Sequence, residues 1–167
     1  SDVGRQFIAG QLAHLRELSL MFAPNINSYK RFAPGSFAPT SIEWGRDNRT
    51  CSLRLVGRGA GLRLENRVPG GDCNPYLAVA AMIAAGLDGI EKGMTLRPEE
   101  KGNAYASEGE KVPWRLADAV AATAPDPPTS TRPSGRLTEL GWWRLTCRSI
   151  EVFHAPVIGS KMSARCW

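Results

Sequence analysis

The stretch Thr50–Val68, "TCSLRLVGRGAGLRLENRV", leaves the chain few choices, because apolar and polar residues alternate on both sides of a Gly-rich centre. That pattern predicts a β-hairpin with its turn near Gly57–Gly61. Side chains of a strand point to opposite faces in turn, so Cys51, Leu53 and Leu55 share one face of the first strand and Arg54 takes the other. On the second strand Leu62 and Leu64 fall together, and Arg63, Glu65 and Arg67 share the opposite face. One face is core; the other is a charged floor.

Around this hairpin the spacing predicts helices. From Arg5 to Phe22, apolar residues at Ile8, Leu12, Leu15 and Leu18 follow helical spacing and predict one amphipathic helix ending near Pro24. Residues 25–49 are rich in Pro, Gly, Ser and Asn and read as a long loop that carries Lys30, Arg31, Arg46 and Arg49. Asn74 caps and Pro75 opens an alanine-rich helix over Pro75–Ile90, which its composition predicts to be buried on most sides before Gly93 stops it. A polar loop follows, and then "WRLADAVAA" begins another helix. The fold class these elements predict is α+β, an antiparallel sheet with packed helices. Residues 122–167 change character: a Pro/Ser/Thr-rich opening, three of the five tryptophans and no sustained periodicity. Two units follow, 1–121 and an atypical tail over 122–167. The tail is expected to lack a stable fold of its own, as the product of a shifted reading frame or an alternative end.

Composition excludes some classes of function. The net charge is +5, but residues 1–121 hold 15 Lys+Arg against 13 Asp+Glu, and the tail 6 against 3. So dilute an excess argues against nucleic acid as a partner. No apolar run is long enough to cross a bilayer and the first residues lack the pattern of a secretory signal, which predicts no membrane association and a cytoplasmic location. Cys51, Cys73, Cys147 and Cys166 show no C-x-x-C spacing, so they read as reduced, mostly buried thiols rather than as zinc ligands.

Five arginines carry the chemistry: Arg31 and Arg49 on the loop, Arg54 on the first strand, Arg63 and Arg67 on the second. A guanidinium keeps its proton and presents a planar fork that matches carboxylate and phosphate oxygens, so several aimed at one cleft would bind a polyanion. Glu65 among them would neutralise a neighbour or hold a hard divalent cation. The same spacing equally allows a cross-strand ladder of ion pairs on a solvated face.

The blocks "NSYKRFAPGSFAP", "RDNRTCSLRL", "LRLENRVPGGDCNPYLAVAAMIAAGLDGIEKG" and "GNAYASEGEKVPWRLADAV" stand in the order of consecutive blocks in the glutamine synthetase family. Over roughly Gly4 to Ala121 the chain resembles the C-terminal part of that family's catalytic domain. The resemblance implies a role for each residue. Glu65, in R-x-E-x-R, matches a catalytic metal ligand. Arg67, closing that pattern, and Arg31, in N-S-Y-K-R, match arginines that contact glutamate or the transferred phosphoryl group. Arg49 and Arg54 match arginines that hold nucleotide phosphates, and Arg63 matches another on the nucleotide side. The implied cofactors are ATP and Mg²⁺ or Mn²⁺, and the implied partners are glutamate and an amine. By the same resemblance the parent enzyme is a homo-oligomer with sites between subunits.

Two departures qualify the resemblance. The family's loop P-G-x-E-A-P carries a glutamate that takes a proton from ammonium; here the loop reads "PGSFAP" and Phe37 stands in its place. A phenyl ring accepts no proton but packs against an alkyl stem and offers a cation–π face. The chain in this respect resembles the γ-glutamylpolyamine synthetases, so a polyamine or another organic amine is the expected acceptor, substrate-binding through Phe37, with ammonia as the alternative. The second departure is that the family's upstream metal ligands and nucleotide segment have no counterpart here. The isolated chain is therefore expected not to ligate, and a catalytically inactive nucleotide- or anion-binding fragment is a further alternative.

Overall fold

The computed structural model describes residues 1–33 and 35–123. The expectation for the tail therefore lies outside the described residues, apart from Ala122 and Thr123, which close a helix.

Ser1 caps the first helix, its hydroxyl accepting from the Gly4 N–H at 3.3 Å, so α1 begins earlier than the apolar spacing suggested, at Asp2–His14. The single helix expected to reach Phe22 breaks into two: turns occupy residues 15–18 and α2 spans Ser19–Phe22. The break has a local cause. The Ser19 hydroxyl and the Ser19 N–H both donate to the Arg16 carbonyl, at 2.7 and 3.3 Å, which draws that carbonyl out of the regular ladder. The apolar face survives the break, since Ile8, Leu12, Leu15, Leu18 and Phe22 are all buried. Each large side chain so buried contributes on the order of 2 kcal/mol.

The loop expected over residues 25–49 holds more order than its composition suggests. A 3-10 turn spans Ile26–Arg31, and a short strand, β1, spans Trp44–Arg46. The hairpin forms as expected, with β2 over Leu53–Val56 and β3 over Arg63–Asn66 joined through a 3-10 turn at Gly59–Gly61. Its register sets Arg54 opposite Glu65 and Leu55 opposite Leu64, so apolar and charged residues take opposite faces as the alternation requires, but Leu62, expected in the core, lies at the hairpin tip and is about half exposed. β1 adds a third strand to the far side of β2, and it adds it parallel, with Gly45 beside Arg54. A parallel neighbour so close in sequence needs a tight return. Asp47 supplies it by adopting φ 49°, and the Asn48 side chain closes the turn by accepting from the Thr50 N–H at 3.0 Å. A side chain at Gly45 would meet the Glu100 carbonyl at 2.6 Å, so only glycine lets residues 97–102 lie against β1.

The second long helix, α3, spans Pro75–Glu91, with the Asn74 side chain accepting from the Tyr76 and Leu77 N–H groups. It crosses α1 at very close range through glycines. A Cβ on Gly10 would stand 2.1 Å from the Ala85 carbonyl oxygen, and one on Gly89 would stand 2.2 Å from that of Gln6. At the end of the crossing His14 Nε2 pairs with Asp88 at 2.8 Å. The expectation that α3 is buried on most sides does not hold. Only Ala78, Ala85, Gly86 and Gly89 are buried, while Leu77, Val79, Ile83 and Leu87 are about half exposed. An apolar composition tells how many faces a helix can bury; α1 covers only the small-residue stripe.

The last described helix, α4, spans Leu116–Thr123 and is tied to the turn between α1 and α2 by Thr123 Oγ1, which donates to the Glu17 carbonyl at 2.8 Å. No helix among the described residues is long and apolar enough to cross a membrane. Cys51 is free and buried and Cys73 is free and partly exposed; Cys147 and Cys166 lie outside the described residues.

Candidate active site

The charged face of the hairpin is organised around one carboxylate. Glu65, in the middle of β3, receives Arg54 Nη1 from the opposing strand at 2.9 Å and stands 3.4 Å from Arg67 Nε, two residues along its own side of the sheet. Arg54 is held from its other side by Asp47, so its fork is spread between two carboxylates. Those hydrogen bonds, Asp47's foremost, hold the Arg54 guanidinium above its ordinary value although burial opposes them. The arrangement is a cross-strand ion-pair ladder in its bonding, yet it leaves donors over. Arg54 Nε and Arg67 Nη1 are buried and have no acceptor among the described residues. A buried guanidinium N–H without an acceptor is costly, and an anionic oxygen is the acceptor that suits it best.

Arg31 approaches the same floor from the 3-10 turn. Its Nη2 donates to the Val68 carbonyl, and its guanidinium carbon lies 5.1 Å from the centre of the Phe32 ring. Burial pulls the Arg31 guanidinium below its ordinary value, Asp72 opposes that shift, and the charge of Arg67 adds to it. Arg31 and Arg67 therefore feel each other as like charges, which is the arrangement a bridging anion would relieve.

Phe37 sits on the turn facing Arg67. Its backbone adopts φ 61°, a left-handed conformation rare for an aromatic residue, and its ring is 81% exposed. Arg67 Nη2 donates to the Phe37 carbonyl at 3.1 Å. Ser36 completes the turn by donating its hydroxyl to the Arg31 carbonyl.

The structure thus brings together Arg31, Arg54, Glu65, Arg67 and the Phe37 turn. It leaves Arg49 and Arg63 exposed. Arg63 shares the Glu65 face as the alternation requires, but at the hairpin tip, where Nη1 reaches only the Gly61 carbonyl at 3.5 Å. Sequence reasoning missed Asp47 and Asp72. Asp47 carries a signal in retrospect, since Asp-Asn is a turn pair that tolerates left-handed backbone; Asp72 carries none, because its partner lies far away in sequence. No group of three His, Cys, Asp or Glu residues among the described ones could hold a metal ion. Glu65 alone does not make a metal site.

Comparison with known proteins sharpens what this floor belongs to. The family described as "Glutamine synthetase, catalytic domain" matches residues 1–131. The chain is 62% identical over 120 residues to a γ-glutamylethanolamide synthetase of Streptomyces coelicolor, a match covering 72% of this chain and 26% of that protein. It is 47% identical over 124 residues to a glutamate–isopropylamine ligase of a Pseudomonas species, covering 74% of this chain and 26% of the relative. The solved structure of a GmaS–ADP complex superposes with a TM-score of 0.65 at 38% identity, covering 74% of this chain and 30% of that one. The chain spans about a quarter of the length of the curated relatives it matches.

Proposed function

Because the chain belongs to the glutamine synthetase family, matching its catalytic domain over residues 1–131, we propose that it forms part of the active site of an ATP-dependent ligase that joins glutamate to an organic amine. In the proposed reaction a γ-carboxylate oxygen of glutamate attacks the terminal phosphorus of ATP and ADP leaves. The amine nitrogen then attacks the acyl carbon, phosphate leaves with the bonding electrons, and the nitrogen gives up a proton.

The observation that carries this reading is the pair of buried, unpartnered guanidinium N–H groups on Arg54 and Arg67 beside a single shared carboxylate. They fit a ligand rich in anionic oxygen, and fixed donors aimed at developing phosphoryl charge are the main contribution a protein makes to such a step. Arg31 and Arg67 are assigned to glutamate and the transferred phosphoryl group. Arg49 and Arg63, both exposed, are assigned with Arg54 to the nucleotide phosphates. For Arg54 this means the Nε–H, since both terminal nitrogens already serve Asp47 and Glu65. A divalent cation, Mg²⁺ or Mn²⁺, would neutralise phosphoryl oxygens. Glu65 would lend it one oxygen, and no step is assigned to a cation on this chain, whose described residues hold no other cluster for it.

The acceptor is proposed to be an amine with an alkyl stem, because Phe37 offers an exposed ring where a proton-accepting carboxylate would serve ammonia. The relatives named for ethanolamide and isopropylamine support a short alkyl amine. An anion-binding fragment without ligase activity is the second reading, favoured by the ion pairs that already occupy Glu65 and both terminal nitrogens of Arg54. To test the proposal, residues 1–120 replace the matching segment of the Streptomyces relative, and γ-glutamyl amide formation is followed with ATP, Mg²⁺ and a panel of amines. Ligation by the graft, with none by the 167-residue chain alone, is expected. A folded graft that binds ATP and makes no amide favours the second reading.

A further inference from the structure

The turn that delivers Arg31 is moored by a hydrogen-bond relay with no part in the chemistry assigned above. The Asn25 N–H donates to Ser28 Oγ at 3.1 Å, and Ser28 Oγ donates in turn to Asp72 Oδ2 at 2.5 Å. Asp72 lies 44 residues after Ser28, in the loop between β3 and α3. A second mooring crosses the same gap, from Arg31 Nη2 to the Val68 carbonyl. The 3-10 turn and the 68–72 loop are therefore laced at both ends. Behind them the Gly70 N–H donates to the Phe22 carbonyl at 3.1 Å, which fixes the loop to α2.

The relay suits a residue that needs holding. Ser28 is buried, so its hydroxyl proton has no ready water to turn to once its lone pair has accepted from Asn25, and a carboxylate is the strongest acceptor available. The bond to Ser28 is the main reason the Asp72 carboxyl lies below the usual carboxylate range, so at neutral pH the anchor is ionised. The charge of Asp72 also acts on Arg31 in opposition to that of Arg67, which lowers the cost of bringing the two guanidiniums together.

We propose that Asp72, acting through Ser28, is the positioning residue for Arg31, fixing the 3-10 turn so that Arg31 and Arg67 stand as a two-guanidinium clamp for one anion. The inference rests on the reading of Arg31 as an anion-contacting residue, and it names what that residue depends on. Positioning and simple electrostatics predict opposite signs. Deleting the Asp72 charge alone would strengthen the attraction of the arginines for an anion, whereas losing the mooring weakens it.

The test uses the full 167-residue chain with labelled arginine, inorganic phosphate as the probe, and the side-chain Nε–H resonances of Arg31 and Arg67 as readout. In the unmodified chain both resonances are expected to move with phosphate. In Ser28→Ala and Asp72→Ala the Arg31 resonance is expected to fall to the position of a free arginine, and phosphate affinity to drop about tenfold, the loss of one charge-assisted hydrogen bond. Asp72→Asn, whose amide oxygen still accepts from Ser28, is expected to keep the Arg31 resonance near its original position; it also carries the comparison with Ser28→Ala should Asp72→Ala not fold. An Arg31 resonance left in place in both alanine variants, or a phosphate affinity that rises in Asp72→Ala, overturns the proposal. If phosphate moves neither arginine in the unmodified chain, the anion reading of Arg31 fails by itself, and the Arg31 resonance across the variants still decides the mooring.

Discussion

Arg67 reaches back 30 residues to donate a guanidinium N–H to the backbone carbonyl of Phe37, at 3.1 Å. The bond joins the charged strand to a turn whose aromatic residue is held at φ 61°. Left-handed backbone costs a residue with a side chain roughly 1–2 kcal/mol, and Phe37, exposed to solvent, recovers little of this through packing. Phe37→Gly is therefore expected to leave the chain more stable than Phe37→Ala by about 1 kcal/mol, read as a difference in urea midpoint at constant slope. Equal midpoints would mean that the turn relaxes in solution and that no strain is held there.

The crossing of α1 and α3 gives a prediction of opposite sign to helix propensity. In an exposed helix, replacing glycine by alanine stabilises by about 1 kcal/mol. At Gly10 the new methyl would stand 2.1 Å from the Ala85 carbonyl oxygen, and backbone on both helices would have to move. Gly10→Ala is expected to destabilise by roughly 1–3 kcal/mol, the usual cost of overpacking. Thermal unfolding decides between the two signs.

Asp88 gives the fold a defined response to acid. Burial works to raise its pKa, but the hydrogen bonds from Lys92 and His14 outweigh this, and the carboxyl ends below its ordinary value. A depressed folded-state pKa means that the stabilisation is complete above the unfolded value of about 4 and is lost as pH falls through the lower folded value. Asp88→Asn should therefore lower the melting temperature above about pH 5. The gap to the unmodified chain should close below about pH 4. A gap that stays open in acid would show that the effect is packing and not charge.

What could be read in the sequence was what is decided locally. The hairpin and the shared face of Arg54, Glu65 and Arg67 follow from alternation, the register Arg54 opposite Glu65 does not, and Asn74-Pro75 marks the start of α3 without reference to anything else. Pairings between distant segments were hidden. β1 lies in a segment rich in Pro, Gly and Ser, and it is a strand only because β2 returns beside it. The break at residues 15–18 turns on one serine hydroxyl competing for a carbonyl, a contest that apolar spacing does not register. Arg63 satisfied the alternation and still stands apart, because its place at the hairpin tip sets its distance from Glu65. Ser28 and Asp72 meet only once the fold has brought their loops together.

The sharpest expectation concerns Phe37 in the proposed ligase. The ring stands exposed on a turn tied to Arg67 and, through Ser36, to the Arg31 carbonyl, so in the proposed site an amine approaching an acyl group at those arginines would pass close to it. An amine with an alkyl stem gains contact with the ring; ammonia has no stem to bury. Two buried methylenes are worth about 1.6 kcal/mol, more than a tenfold preference in kcat/KM. Phe37→Glu would place a carboxylate on the same turn, able to attract ammonium and accept its proton. General-base catalysis typically contributes on the order of a hundredfold or more. The substitution is thus expected to raise kcat/KM for ammonia while lowering it for ethanolamine and isopropylamine. If the unmodified enzyme already uses ammonia best, Phe37 does not select the acceptor, and the exposed ring on its left-handed turn serves some other contact.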